Sequence, residues 1–159
     1  MSKESWDEKY YPVDAHRVAD KDAGAAILQK WVGLNEKILD EHGLYKVPDN
    51  IRIMEDKSSS NAPSFSVGTD TCPWCLIDMR DRELYFKAEG VSRGIRSVDE
   101  IELCDFCPAV LAGMPTCIDD TDGVSNAPYH YWTETGDTGP MRDWIRRAIK
   151  AIDDKEKGA

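Results

Sequence analysis

The chain has 159 residues, of which 41% are hydrophobic and 31% charged, as is ordinary for one globular domain. Its 30 acidic residues outnumber its 20 lysines and arginines, giving a formal net charge of −10. This balance argues against a protein that coats DNA or an anionic membrane, since phosphate binding needs clustered cations. The composition also excludes collagen-like repeats and long low-complexity tracts.

The sequence predicts a cytoplasmic protein that does not associate with membranes. Its first residues lack the apolar segment of a signal peptide, and no apolar run approaches the roughly 20 residues that span a bilayer. The five cysteines are therefore expected to be reduced. In that compartment, closely spaced cysteine pairs more often indicate a metal site than a disulfide.

The N-terminal third predicts an arm followed by a helical segment. Residues 1–19 are polar and predict no periodic element, although their aromatic residues can pack the arm on the body of the protein. Residues 20–57 predict one helix over residues 20–42 and then a short strand around Ile51 and Ile53. The helix has one apolar stripe, which consists of Ile27, Trp31, Leu34 and Ile38.

Residues 65–113 predict a metal-binding module that contains a β-hairpin. Apolar residues alternate on either side of a turn at residues 90–94, so the hairpin is expected over residues 83–103. The alternating residues are Leu84, Phe86, Ala88, Ile101 and Leu103. Residues 108–112 then predict a short helix.

The C-terminal part predicts an acidic loop segment over residues 114–139 and then a helix and tail over residues 140–159. The run 108–140 contains five acidic residues and no lysine or arginine, and many of its residues favour turns. The helix has an apolar face made of Met141, Ile145, Ala148, Ile149 and Ile152. Together the segments predict one compact α+β domain.

The strongest chemical signal is a repeated cysteine pair. The two pairs are Cys72-Pro73-Trp74-Cys75 and Cys104-Asp105-Phe106-Cys107. A gap of two residues lets both thiolates of a pair point inward from one tight turn. Two such turns place four sulfurs at the corners of a tetrahedron, about 2.3 Å from a zinc ion. We therefore predict one zinc ion per chain, bound by Cys72, Cys75, Cys104 and Cys107.

A site filled by four thiolates leaves no open position for water, so this zinc ion is expected to be structural. An iron–sulfur cluster, a redox pair and free thiols remain as alternatives. Cys72 and Cys75 have the spacing of a thioredoxin-like redox pair, but the sequence does not predict the strand and helix that surround such a pair. The fifth cysteine, Cys117, is interpreted as an inert small hydrophobic residue.

The order of cysteine pair, hairpin, cysteine pair and short helix over residues 72–113 resembles the treble-clef class of zinc fingers. The resemblance implies a small zinc-stabilised hairpin module, packed here with an N-terminal and a C-terminal helix. Some treble-clef proteins are nucleases that use histidines on the hairpin and helix. Residues 76–113 contain no histidine, so the sequence argues against an HNH nuclease, and no catalytic constellation is recognisable elsewhere.

The functional hypothesis is therefore a small acidic zinc-binding accessory or regulatory protein that binds a protein partner. An inhibitor or adaptor of nucleic-acid machinery is one form of this role. The residues proposed to contact the partner are Asp119, Asp120, Asp122, Tyr129, Tyr131 and Trp132. The alternative is a nucleic-acid-binding zinc finger that uses a basic hairpin and C-terminal helix. Its contact residues would be Arg93, Arg96, Arg142, Arg146 and Arg147.

Overall fold

The computed structural model describes residues 2–55, 63–118 and 127–158. These residues form an α+β fold with seven α-helices and one three-stranded antiparallel sheet. The helices are α1 Lys3–Tyr10, α2 Ala23–Gly33, α3 Glu36–Glu41, α4 Pro73–Tyr85, α5 Pro108–Leu111, α6 Pro128–Thr135 and α7 Gly139–Gly158. The strands are β1 Tyr45–Lys46, β2 Arg52–Met54 and β3 Ser64–Ser66. None of the helices described is long and apolar enough to cross a bilayer.

The N-terminal arm contains a helix, so the prediction of no periodic element there is wrong. Helix α1 begins with a reciprocal capping pair in which Ser2 and Ser5 satisfy each other's backbone N–H groups. Trp6 is fully buried, and its indole N–H donates a hydrogen bond of 2.7 Å to the carbonyl of Gly33. The expected packing of the arm on the body is confirmed.

The helix predicted over residues 20–42 is divided in two. Helix α2 ends at Gly33, and Asn35 begins α3 by accepting a hydrogen bond of 3.0 Å from the backbone N–H of Lys37. An asparagine cap of this kind starts a new helix rather than continuing the old one. The predicted stripe still faces the core, since Ile27, Trp31 and Leu34 are all buried.

The three strands follow α3 and precede α4 in the chain, and β2 is the central strand of the sheet. Ile53 on β2 is fully buried and pairs with Lys46 on β1 and Phe65 on β3. The predicted strand around Ile53 is confirmed. The sheet precedes the cysteine pairs in the chain, which places it outside the stretch that resembles a treble clef.

The hairpin predicted over residues 83–103 is wrong. Helix α4 extends to Tyr85, a wide helical turn follows over Phe86–Gly90, and short 3-10 turns occupy Val91–Arg93 and Val98–Glu100. Ion pairs one helical turn apart favour this outcome, namely Glu83 with Lys87 and Glu89 with Arg93. Leu84 alternates with Phe86 in the sequence but is 57% exposed, so its position does not mark a buried strand face.

The C-terminal half contributes helices that complete the hydrophobic core. The helices predicted at residues 108–112 and from residue 140 onward are confirmed as α5 and α7, and α7 packs along α2. The segment predicted as an acidic loop contains α6, a helix not expected from its turn-forming composition. Trp74 from α4 and Trp144 from α7 meet edge to face with ring centres 5.9 Å apart. The cysteine segments therefore belong to the main core rather than to a separate module.

Candidate metal centre

The first cysteine pair lies where α4 begins. Cys72 is the residue before the helix, Pro73 occupies the first helical position, and Cys75 lies within the first turn. Proline is favoured there because the first helical N–H needs no partner within the helix. The Cys75 thiol donates a hydrogen bond to the Cys72 sulfur, so the two sulfurs face each other.

The second pair is held in place by a buried carboxylate on α4. Asp78 is 3% exposed, and its two oxygens accept hydrogen bonds from the backbone N–H of Cys104 at 3.2 Å and of Phe106 at 2.8 Å. The Arg82 guanidinium, one turn further along α4, donates to Asp78 at 3.0 Å. Cys104 adopts a left-handed backbone conformation with φ of 72°, which is uncommon for a residue with a side chain. Asp78 thus fixes the turn that presents Cys104.

The remaining two thiols approach from the segments around α5. Cys107 is the residue before α5, and its thiol accepts hydrogen bonds from the backbone N–H groups of Ala109 and Val110. The chain then reverses at Gly113, whose φ of 96° favours glycine. Beyond the turn, the Trp144 indole N–H donates to the Pro115 carbonyl at 2.9 Å, which fixes the segment that carries Cys117.

All five cysteines line one small cavity of about 30 Å³. Its other walls are mainly apolar and include Ile27, Trp74, Met141 and Trp144. A cavity needs roughly 10–15 Å³ to hold one water molecule, so this one has room for a single ion. Among the described residues, no three Cys, His, Asp or Glu side chains already stand in an arrangement that could hold a metal ion. The sulfurs converge on the cavity without forming a finished coordination shell.

A buried lysine accompanies the thiols. Lys30 on α2 is 2% exposed, and its ammonium group donates to the Thr71 carbonyl at 2.6 Å and to the Thr71 hydroxyl at 3.3 Å. Burial lowers the pKa of Lys30, because removing an ammonium ion from water disfavours its charged form. Negative charge on Cys72, Cys75 or Cys117 would oppose this effect and favour the charged form of Lys30. A basic side chain therefore lies beside the cysteine cluster in the core.

The thiols differ in acidity. Hydrogen bonding from Cys75, aided by Lys30 and by the N–H groups at the start of α4, lowers the pKa of Cys72 against the opposing effect of burial. The same hydrogen bond, together with burial, raises the pKa of Cys75. Burial raises the pKa of Cys107 to about 11 and also raises that of Cys117. Cys72 is therefore the thiol best prepared to lose its proton to a metal ion.

Replacing Asp78 with asparagine is expected to destabilise the protein by about 3–5 kcal/mol, because it leaves the buried Arg82 charge without its partner. The matched control is Asp81→Asn, which breaks an ion pair with Arg80 that is half exposed and lies on the same helix. The control is expected to cost about 0–1 kcal/mol. Urea unfolding measures both, and equal midpoint shifts would reject the anchoring role of Asp78.

The residues predicted to contact a partner are dispersed by the fold. Trp132 is fully buried, Tyr129 packs against Trp31, and Tyr131 is 37% exposed. Asp119, Asp120 and Asp122 lie outside the described residues. Of the predicted patch, the described part of the chain presents only Tyr131 as an exposed side chain.

The predicted nucleic-acid contacts lie on two elements. Arg93 and Arg96 are exposed around the turn after α4, and Arg93 pairs with Glu89 at 3.4 Å. On α7, Arg142 donates to the Thr138 hydroxyl at 3.0 Å, whereas Arg146 and Arg147 are exposed. The hairpin that was to carry Arg93 and Arg96 is replaced by helical turns.

Sequence reasoning missed three features of this centre, and two of them left a detectable signal. Lys30 falls at helical spacing within the apolar stripe of α2, three residues after Ile27. Asp78 likewise follows the buried Trp74 by four residues on α4. A charged residue on a buried helix face indicates a paired or functional group. Cys117 left no local signal, since only the path of the chain brings it to the cavity.

Comparison with known proteins gives no match for this chain: no family model, no curated protein and no solved structure is similar to it.

Proposed function

We propose that this protein binds one zinc ion through Cys72, Cys75, Cys104 and Cys107, and that the ion stabilises the fold. The observation that carries the proposal is the convergence of thiols from separate chain segments on one ion-sized cavity. Soft thiolate ligands suit zinc, which accepts a tetrahedral arrangement without electronic preference. The connection between the pairs is helical, so the treble-clef resemblance now rests on the cysteine pairs and α5 alone.

The buried Lys30 gives independent support. An isolated ammonium ion in the core is costly unless an opposite charge lies nearby. A zinc ion bound by four thiolates carries a net charge of −2, since four negative ligands outweigh one divalent cation. Such a centre would supply negative charge that favours protonated Lys30, and more of it than a Cys72 thiolate alone.

Zinc binding requires the cysteine side chains to turn. Because no three candidate side chains among the described residues are yet arranged for a metal, rotation about χ1 must bring the sulfurs together. The backbone of both pairs is already fixed, by the start of α4 for the first and by Asp78 for the second. Side-chain rotation alone is a small change compared with moving these segments.

The purified protein is expected to contain about one zinc ion per chain, and a variant with all four proposed ligands changed to serine is expected to contain none. Elemental analysis of both proteins measures this directly. Zinc retained by the serine variant, or a wild-type protein without zinc, would reject the proposal. A zinc-free protein with a Cys72–Cys75 disulfide would instead favour a redox pair. The hydrogen bond from the Cys75 thiol to the Cys72 sulfur is compatible with that role.

For the protein as a whole, we propose stoichiometric binding of a protein partner rather than catalytic turnover. The support is the net charge of −10 and a metal centre in which thiolates fill all positions. The nucleic-acid alternative rests on the exposed arginines of the turn after α4 and of α7.

Two charge-reversal variants separate these roles. Changing Asp119, Asp120 and Asp122 to lysine is expected to reduce the amount of partner that co-purifies with a tagged protein from native lysate. Changing Arg93 and Arg96 to glutamate is expected to leave that amount unchanged. In parallel, fluorescence anisotropy with a short DNA duplex at low salt is expected to show no binding by the wild type. Salt-dependent DNA binding that the arginine changes abolish would establish the alternative.

A further inference from the structure

The candidate centre contains one thiol more than a zinc ion can use. Cys117 lines the same cavity as the two cysteine pairs, and the electrostatic effects on its thiol come from Cys72, Cys104 and Cys107. Zinc in structural sites is four-coordinate. A fifth thiol within the same cavity must therefore either remain protonated or replace one of the other four.

The five thiols are not held equally. Cys72 and Cys75 are joined by their own hydrogen bond at the start of α4, and Cys107 is 7% exposed beneath α5. Cys104 and Cys117 instead lie outside the helices, Cys104 on the turn whose backbone Asp78 holds and Cys117 on the stretch after Gly113. Cys104 and Cys117 line a groove of about 410 Å³ that adjoins the cavity, as do Cys72 and Cys75, whereas Cys107 does not.

Resting on the proposed function, we propose that Cys117 is an exchangeable zinc ligand that competes with Cys104 for the fourth coordination position. Cys72, Cys75 and Cys107 form the constant part of the site. In the exchange, a Zn–S bond to Cys117 forms as the bond to Cys104 breaks. The proton of the Cys117 thiol passes to the departing Cys104 thiolate, so charge and ligand number are conserved.

The exchange gives the centre one unliganded thiol at any time, and that thiol faces the groove rather than the apolar wall. Thiolates bound to zinc react more slowly with alkylating agents than a free thiolate does, because the metal holds the reactive electron pair. The unliganded position would alternate between Cys104 and Cys117. Both cysteines would therefore be modified slowly and to a similar extent in the zinc-loaded protein.

Competition with a chromogenic chelator of known zinc affinity tests the proposal in single and double variants. Cys104→Ser and Cys117→Ser are each expected to keep one zinc ion, with an affinity within about tenfold of the wild type. The double variant is expected to lose more than about 100-fold, since only three thiolates remain. If Cys104→Ser alone loses as much as the double variant, Cys117 is no ligand and the inference is wrong.

A measurement on the wild-type protein tests the proposal even if the serine variants fail to fold. The zinc-loaded protein is treated with iodoacetamide, and the modified cysteines are identified by peptide mass spectrometry. About one alkyl group per chain, divided between Cys104 and Cys117, is the expected result. Modification at Cys117 alone would overturn the inference while leaving the zinc proposal intact. A wild-type protein that holds no zinc would instead reject the proposed function itself.

Discussion

Removing zinc with a strong chelator is expected to unfold at least residues 72–113. Apparent zinc binding energies of about 10–16 kcal/mol in finger peptides exceed or match the net stability of about 5–15 kcal/mol of a typical domain. The segments around the proposed ligands are part of the main core, since Trp74, Cys107 and Ala109 pack with residues of α2 and α7. Loss of the ion therefore removes the link that holds these segments against the helices.

Hydrogen exchange measured by mass spectrometry follows this unfolding by region. The amides of Cys104, Phe106 and Cys107 are expected to lose protection first, because their hydrogen bonds depend on the turn beside the centre. Helices α2 and α7, which pack along each other, are expected to keep more protection. The control is the same chelator saturated with zinc. Unchanged exchange over residues 72–113 after zinc removal would show that the ion does not support the fold.

Replacing Trp132 with alanine is expected to destabilise the protein by about 3–5 kcal/mol, as do other deletions of a large buried aromatic side chain. Trp132 is fully buried, its ring lies edge-on to Trp31 with centres 5.0 Å apart, and the Lys46 ammonium lies 5.2 Å from its ring centre. Thermal or urea unfolding measures the loss. A stable Trp132→Ala variant that loses a partner would instead support the sequence-based role of Trp132 as a contact residue.

Two further variants distinguish the contribution of the buried ring of Trp132 from that of its indole N–H and from that of a more exposed neighbour. The indole N–H of Trp132 has no hydrogen-bond partner within the described part of the chain. Trp132→Phe removes that unsatisfied group and keeps an aromatic ring, so its cost is expected to be below about 1.5 kcal/mol. The neighbouring Tyr131→Ala acts on a side chain that is 37% exposed and is expected to cost below about 1 kcal/mol.

The sequence predicts well those helices whose stripe of apolar residues is long and regular. Helix α7 follows from the apolar residues at Met141, Ile145 and Ala148, which are all buried. Helix α1 could not be recognised in this way, because its burial depends mainly on Trp6 and Tyr10 and its start on the pairing of Ser2 with Ser5. Short helices of this kind are stabilised by the surface on which they pack, and the sequence does not reveal that surface.

The incorrectly predicted hairpin shows that the spacing of apolar residues and the spacing of charged residues can predict different elements. Leu84 and Phe86 alternate with polar residues, whereas the pairs Glu83–Lys87 and Glu89–Arg93 have helical spacing. Over so short a stretch, neither pattern is long enough to decide between strand and helix. The proline at the first position of α4 favours the helix. The cysteine pairs could be recognised as candidate ligands from their spacing alone. The approach of Cys117 to the cavity lined by these pairs depends on long-range packing, which the sequence does not encode locally.

X-ray absorption at the zinc edge tests the central claim most directly, because it reports the atoms bound to the ion without any substitution in the protein. The account predicts a first shell of four sulfur atoms at about 2.3 Å in the protein as purified. A first shell of nitrogen or oxygen, fewer than three sulfurs, or no zinc signal would contradict it.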